Sequence, residues 1–378
     1  MWQGDAQSQV VVDLDAIRAN VATLRSHTTA QVMAVVKGDG YGHGMVPAAR
    51  AALSGGATWL GVCTLEEAFG LRDAGLTAPV LSWLWLPGQP VGRAIERDVD
   101  LSVASLSQLA AVLAGAREAG RAARLHLKID TGLSRGGATA QEWPQLVEAA
   151  AKAQADGYAE IVGVWSHFVY ADAPGHETID LQLAGFTDAL GVALRLGVEP
   201  QLRHIANSAA TLTRPDTHFD LVRPGIAVYG LSPVEDPAIR ASLRPAMTAR
   251  ARVLLAKRLP AGQGISYGHT YVTERESTVA LVPLGYADGV PRHASNSGPV
   301  LLNGARYTVA GRVCMDQFVV DAGDAPVAEG DEVILFGPGD RGEPTADDWA
   351  EAVGTINYEI VTRFGSSRVP RVYRGDDA

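Results

Sequence analysis

Eight short apolar runs recur through the first two thirds of the chain, at 32–36, 58–62, 80–83, 101–104, 125–129, 161–165, 201–205 and 221–223. Between them, stretches such as 65–74, 106–119, 143–155 and 181–196 place apolar residues at helical spacing. A strand that is apolar at every position is buried on both faces. Strands of that kind alternating with helices build a parallel sheet covered on its outer side. Eight beats fit a (β/α)8 barrel of the TIM type, which typically takes ~250 residues. A doubly wound open sheet is the alternative.

The barrel reading carries a test within the sequence, because reactive residues of such barrels gather at the C-terminal strand ends. Lys37 follows the first run, Lys128 and Asp130 end the fifth, and His167 follows the sixth. Asn207 and Ser208 follow the seventh, and Arg223 ends the eighth. Polar groups therefore collect on one rim.

The alternation stops near Arg244. Beyond it, 247–257, 278–283, 305–313, 317–320 and 332–336 read as strands separated by Gly, Pro and Asn turns, with one helix near 346–352. A chain of 378 residues exceeds what one core usually supports. The expected division is a barrel over 12–243 and a mainly β domain over 244–378, the latter joined by the N-terminal strand within 1–14. Asp15 is expected to cap the helix that follows that strand and runs to about Ser26.

The formal net charge is −10 with no basic run, which disfavours nucleic acid and anionic membrane as partners. No segment reaches the ~18 apolar residues that span a bilayer, and the first residues, MWQGDAQSQ, lack a basic start and an apolar core, so the cytoplasm is expected. Cys63 and Cys314 are the only cysteines, which indicates neither a disulfide framework nor a zinc cluster.

The stretch AVVKGDGYGHG, 34–44, delivers Lys37 into a loop with glycines at 38, 40, 42 and 44. Downstream, Arg135 lies a few residues beyond Lys128 and Asp130, Ser208 stands where a helix should begin, and Gly225 and Ile226 offer backbone amides to an anion. Singly, each has an ordinary structural role: a solvated lysine, a local ion-pair network, a satisfied core histidine, a plain helix cap. No dinucleotide or P-loop fingerprint is present. One lysine, one histidine, one arginine and a split phosphate site suggest pyridoxal 5′-phosphate. In the last third, GISYGHTY carries Tyr267, LGYADGVPR carries Tyr286, Asp288 and Arg292, GRVCMDQ carries Arg312, Cys314, Met315 and Asp316, and TINYE carries Tyr358.

Together, in this order, these motifs resemble the alanine racemase family of fold-type III pyridoxal-phosphate enzymes, from about Val10 to Tyr373. The resemblance implies a homodimer whose shared active sites join one subunit's barrel to the other's β domain, serving alanine interconversion for peptidoglycan synthesis. It implies that Lys37 holds the cofactor as a Schiff base and acts as base for one enantiomer, with Tyr267 of the partner subunit as base for the other. Tyr41, Ser208, Gly225, Ile226 and Tyr358 would bind the phosphate, and His167 would lie near the cofactor ring. Arg223, supported by His204, would face the pyridine nitrogen. Arg135 would contact the phenolic oxygen and the substrate carboxylate, held by Lys128, which is carbamylated in many members. The Met315 backbone would help to bind the carboxylate. Tyr286 and Tyr358 would narrow the entrance, with Asp172, Arg292 and Arg312 further out, and Asn207 and Asp316 in support. The commoner lysine motif has alanines where this chain has Gly38 and Gly40, which implies a looser loop.

The chemistry explains the set. Inverting an α-carbon requires a proton donor opposite the acceptor, and one lysine serves one face only. Reference pKa values of ~10.4 for lysine and ~10 for tyrosine call for nearby cations, which Arg223 and Arg135 supply. A guanidinium only donates, so a pyridine nitrogen beside Arg223 stays unprotonated. A decarboxylase on the same architecture, a non-catalytic cofactor carrier and a racemase of another side chain are the competing readings.

Overall fold

In the computed structural model, which describes residues 2, 4–364 and 368–375, the first strand, β1 (Ser8–Asp13), pairs with late strands rather than with its successors. The next eight, β2 (Gln31–Val35), β3 (Trp59–Val62), β4 (Val80–Ser82), β5 (Val99–Val103), β6 (Ala123–Lys128), β7 (Ala159–Trp165), β8 (Leu202–His204) and β9 (Leu221–Val222), form one sheet in the order β8-β7-β6-β5-β4-β3-β2-β9. All its pairings are parallel. Between the short terminal strands β8 and β9, two backbone hydrogen bonds draw the edges together: Asp220 N–H to Arg203 O at 3.1 Å and Arg223 N–H to Ala206 O at 2.9 Å. The result is a nearly closed eight-stranded barrel. Met33, Trp59, Leu81, Val162, Leu202 and Leu221 pack together as a buried apolar cluster of this unit.

The helices fall where the periodicity predicts: Leu65–Asp73, Leu106–Ala119, Trp143–Ala155 and Glu177–Arg195. Several start on strong caps, as in the Thr64 and Glu67 capping box and the Ser105 hydroxyl that accepts from Gln108 N. One cap differs from expectation. The helix Leu14–Ser26 is capped by Asp13, whose Oδ1 accepts from Ala16 N at 3.0 Å, and Asp15 lies inside the first turn. Asp13 is the last residue of β1, so the strand end itself supplies the cap.

The remaining strands are β10 (Met247–Arg252), β11 (Leu255–Leu259), β12 (Gly264–Ile265), β13 (Tyr271–Val272), β14 (Ser277–Val282), β15 (Pro299–Leu302), β16 (Ala305–Thr308), β17 (Phe318–Gly323), β18 (Glu332–Phe336) and β19 (Arg371–Arg374). They build a six-stranded sheet, β16-β15-β18-β10-β1-β19, a three-stranded sheet, β11-β14-β17, and the pair β12-β13. The run 247–257, expected as one strand, divides between the two larger sheets. Val253 N donates to Asp331 O in one direction, and Leu254 N donates to Leu281 O in the other. The chain changes sheets between those two residues. A helix, Asn357–Arg363, occupies the TINYE region, in addition to Ala346–Val353.

The chain divides into two compact units: Ile17–Gly40 with Ala48–Leu243, which is the barrel, and the residues up to Ala16, Tyr41–Pro47 and those from Arg244 on. The Tyr41 ring lies 6.2 Å from that of Tyr358 within the second unit. Among the described residues no helix is long and apolar enough to cross a membrane.

Candidate active site

At the C-terminal end of β2 the chain turns the wrong way. Gly38, Asp39, Gly40 and Tyr41 all take positive φ, from 52° to 64°, a left-handed turn immediately after Lys37. Such a conformation costs L-residues about 1–2 kcal/mol each, and glycine at two of four positions halves the cost. The turn is also tied down. Gly40 N donates to Val36 O at 2.8 Å, and Gly38 N donates to Glu67 Oε1 at 2.7 Å. The other oxygen of Glu67 accepts from Cys63 N and Thr64 N. The amides of both Gly38 and Gly40 are thus hydrogen-bonded, and Lys37 Nζ lies 5.9 Å from the centre of the Trp83 ring.

Arg223 follows β9 and is buried. Its Nη1 donates to His204 Nδ1 at 3.0 Å, and its Nη2 donates to Ser166 O at 2.7 Å and lies 3.3 Å from His167 Nδ1. Burial lowers its pKa to about 9, which leaves it cationic at neutral pH. The guanidinium carbon sits 4.7 Å from the centre of the Trp165 ring. His167 and His204 are pushed well below the ordinary histidine range, chiefly by burial and then by the Arg223 charge, so both are neutral.

Lys128 ends β6 with Nζ over the same Trp165 ring. Burial, then Arg223 and Arg135, lower its pKa to about 8. Asp130 does structural work here: its Oδ1 accepts from Gly132 N and Ser134 N, shaping the turn that presents exposed Arg135.

Asn207, not Ser208, caps the helix Ser208–Thr213, its Oδ1 accepting from Ala210 N at 3.1 Å. That frees the buried Ser208 hydroxyl to accept from Gly225 N at 2.8 Å and from Ala227 N at 3.3 Å, on either side of Ile226. With both lone pairs engaged, the hydroxyl presents its proton as a donor. A donor here suits an anionic oxygen, and the donor-only Arg223 suits a neutral ring nitrogen. The barrel rim thus offers an amine, an anion donor and a cation in one unit. Asp172 is exposed in the loop that follows His167.

In the second unit, Tyr267 is 71% exposed and lies between Ser266 and Gly268, both at positive φ. Ser266 Oγ donates to Arg312 O at 2.7 Å, fixing this turn against the segment that carries Met315. Tyr286 N and Ala287 N donate to Cys314 O and Met315 O at 3.0 Å each. Asp316 pairs with Arg368 at 2.7 Å. Arg292 opens a short 3-10 turn, Arg292–Ala294. Tyr267, Arg312, Met315 and Tyr286 therefore belong to one set of interlocked loops, and Tyr358 faces Tyr41.

The chain matches two family models, alanine racemase N-terminal domain over residues 12–233 and alanine racemase C-terminal domain over 246–373. The chain belongs to the alanine racemase family. It is 69% identical to the alanine racemase of Salinispora tropica over 376 residues, spanning the whole of both chains. Among solved structures it resembles the alanine racemase of Streptomyces lavendulae, with a TM-score of 0.96 and 55% identity over 99% of this chain and 98% of that one. The alanine racemase of Streptomyces coelicolor gives 0.95 and 54% over 97% and 98%.

For this alanine racemase family member, sequence reasoning missed Trp165, the floor beneath Lys128 and Arg223, and Glu67, the clamp on Gly38. Trp165 ends a strand at the rim, a position that could have marked it. Glu67 three residues after Thr64 reads as a helix cap, and its second contact has no sequence signal.

Proposed function

We propose that the chain interconverts L- and D-alanine with pyridoxal 5′-phosphate as cofactor, as a cytoplasmic homodimer with shared active sites that supplies D-alanine for peptidoglycan. The observation that carries this reading is the buried Arg223, a donor-only cation among neutral histidines on the same rim as Lys37. When bound, the cofactor supplies an electron sink for the charge left by the departing α-proton. Lys37 would hold it, while Ser208, Gly225, Ile226, Tyr41 and Tyr358 would bind its phosphate and Arg223 its ring nitrogen.

Lys37 Nζ moves a proton on one face of the substrate, and the Tyr267 hydroxyl of the partner subunit moves one on the other. Arg135 receives the substrate carboxylate with the Met315 backbone, and Lys128, carbamylated, holds Arg135. Tyr286 and Tyr358 narrow the entrance, with Asp172, Arg292 and Arg312 beyond them. Exposure of Tyr267 supports this division of labour, since a side chain offered to a partner is uncovered in its own chain.

The test is incubation of the purified protein and cofactor with L-alanine in deuterated water, followed by chiral analysis and mass measurement. D-alanine carrying α-deuterium is expected. Absence of any D-amino acid refutes the proposal, release of CO2 supports a decarboxylase, and faster turnover of serine reassigns the substrate.

A further inference from the structure

A polar line runs through the barrel interior, where branched apolar side chains ordinarily pack. Asp100 in β5, His126 in β6 and His204 in β8 are all buried. Asp100 Oδ2 lies 3.2 Å from His126 Nε2, and His126 Nδ1 lies 2.8 Å from His204 Nε2. His204 Nδ1 then meets Arg223 Nη1 at 3.0 Å.

Each imidazole nitrogen can donate or accept, but the two ends of the line have no choice. A guanidinium only donates, so His204 Nδ1 accepts and its proton resides on Nε2. His126 Nδ1 must accept that proton's hydrogen bond, which puts the His126 proton on Nε2. The Asp100 carboxylate only accepts and closes the sequence. Both rings are neutral Nε2–H tautomers.

The surroundings also hold the rings in place. Trp165 stacks flat on His204 at 5.6 Å and 10°, and Trp59 meets His126 edge-on at 5.5 Å. Arg124 Nε donates to the other oxygen of Asp100 at 2.9 Å and reaches Glu160 at 3.1 Å. A Cβ at Gly163 would stand 2.3 Å from His126 Nδ1, and the β6–β7 register shifts between Leu125 and His126. Glycine at 163 makes room for this ring.

We propose that Asp100 and His126 are positioning residues for Arg223: through His204 they fix an acceptor that holds the guanidinium at the rim. The effect on turnover rests on the reading of Arg223 given above; the tautomers do not.

The experiment records long-range proton–nitrogen correlations on the histidine-labelled full-length holoenzyme. Nε2–H patterns are expected for both His126 and His204, and an Nδ1–H or imidazolium pattern at either overturns the proposal. In Asp100→Asn the amide can face His126 with oxygen or with NH2. With NH2 toward His126 its Nε2 must accept and its proton moves to Nδ1 against His204 Nε2–H, so His204 either loses that partner or turns Nδ1–H against Arg223 and releases the guanidinium. A second tautomer at His126, a changed absorption spectrum of bound pyridoxal phosphate and a lower kcat at little-changed KM are expected. Unchanged ring patterns and spectrum in that variant overturn the proposal. If Asp100→Asn does not fold, His126→Gln, whose amide accepts toward His204 and donates toward Asp100, should keep the wild-type cofactor spectrum and kcat, while His126→Leu, which offers His204 no acceptor, should change both. The same spectrum and kcat in the two variants overturns the proposal. Wild-type protein that shows the expected tautomers and variant spectrum but makes no D-alanine refutes the proposed reaction and leaves this inference standing.

Discussion

Lys128 Nζ lies 4.4 Å from the centre of the Trp165 ring, and that ring also carries Arg223. An ammonium so placed trades water for an aromatic face and a like-charged neighbour. Its pKa of about 8 is well below that of a free lysine, ~10.4. The unfolded chain therefore binds the extra proton between those values, and Lys128 costs stability below pH 8, a cost that disappears as pH rises through that window. With CO2 and bicarbonate excluded, so that the side chain is the free amine, Lys128→Met should melt higher than wild type at pH 7, and the difference should shrink toward pH 10. Thermal unfolding across that range checks this. The neutral amine is also the form that adds CO2, so a carbon-13 carbamate signal from labelled bicarbonate should grow as pH rises through 8 and be absent in Lys128→Met.

Ser208 joins two buried amides to one hydroxyl. In Ser208→Ala, Gly225 N and Ala227 N lose their acceptor, and an unsatisfied buried donor costs about 1–3 kcal/mol. Urea unfolding of the cofactor-free protein should show a loss in that range. Titration with pyridoxal phosphate should show weaker binding as well, because the donor proton goes with the hydroxyl. A stability loss with unchanged cofactor affinity would make Ser208 structural only.

The left-handed turn after Lys37 predicts the effect of restoring alanine. A Cβ at Gly38 would meet no atom within 4 Å, so Gly38→Ala is charged only for its backbone conformation. About 1 kcal/mol of destabilisation is expected, partly offset by a less flexible unfolded chain. Activity should stay within a few-fold of wild type, since Glu67 still holds the amide of residue 38. Glu67→Gln keeps one oxygen where two are used, and should slow turnover more than Gly38→Ala does.

The barrel was legible because its strands are apolar on both faces and end in polar residues, as at Val35–Lys37 and Val222–Arg223. Tertiary choices were not. Nothing in the run 247–257 marks that Val253 and Leu254 hydrogen-bond in different sheets. Four glycines between 38 and 44 announce positive φ, but not that Asp39 and Tyr41 share it. His126 sits between Leu125 and Leu127 and reads as one polar residue of a strand; its link to Asp100, 26 positions earlier, exists only once the barrel closes. Asn207 and Ser208 are adjacent residues of cap-forming type, and only the fold separates them: Asn207 caps the helix, and the Ser208 hydroxyl is engaged by Gly225 N and Ala227 N, contributed by the chain after β9.

Tyr267 offers the sharpest test of two-sided proton transfer. At 71% exposure its hydroxyl contributes little to its own subunit's fold, so Tyr267→Phe should unfold within error of wild type. Loss of a positioned acid–base group typically costs 10²–10⁴-fold, and inversion should fall by about that much. Proton exchange need not fall equally. Lys37 remains on its face, so one enantiomer of alanine should still take up deuterium from solvent without changing configuration, while the other exchanges far more slowly. Incubating each enantiomer separately in deuterated water, with chiral mass analysis, separates the two. Equal exchange of both enantiomers in the variant would place both proton transfers on one group and remove Tyr267 from the reaction.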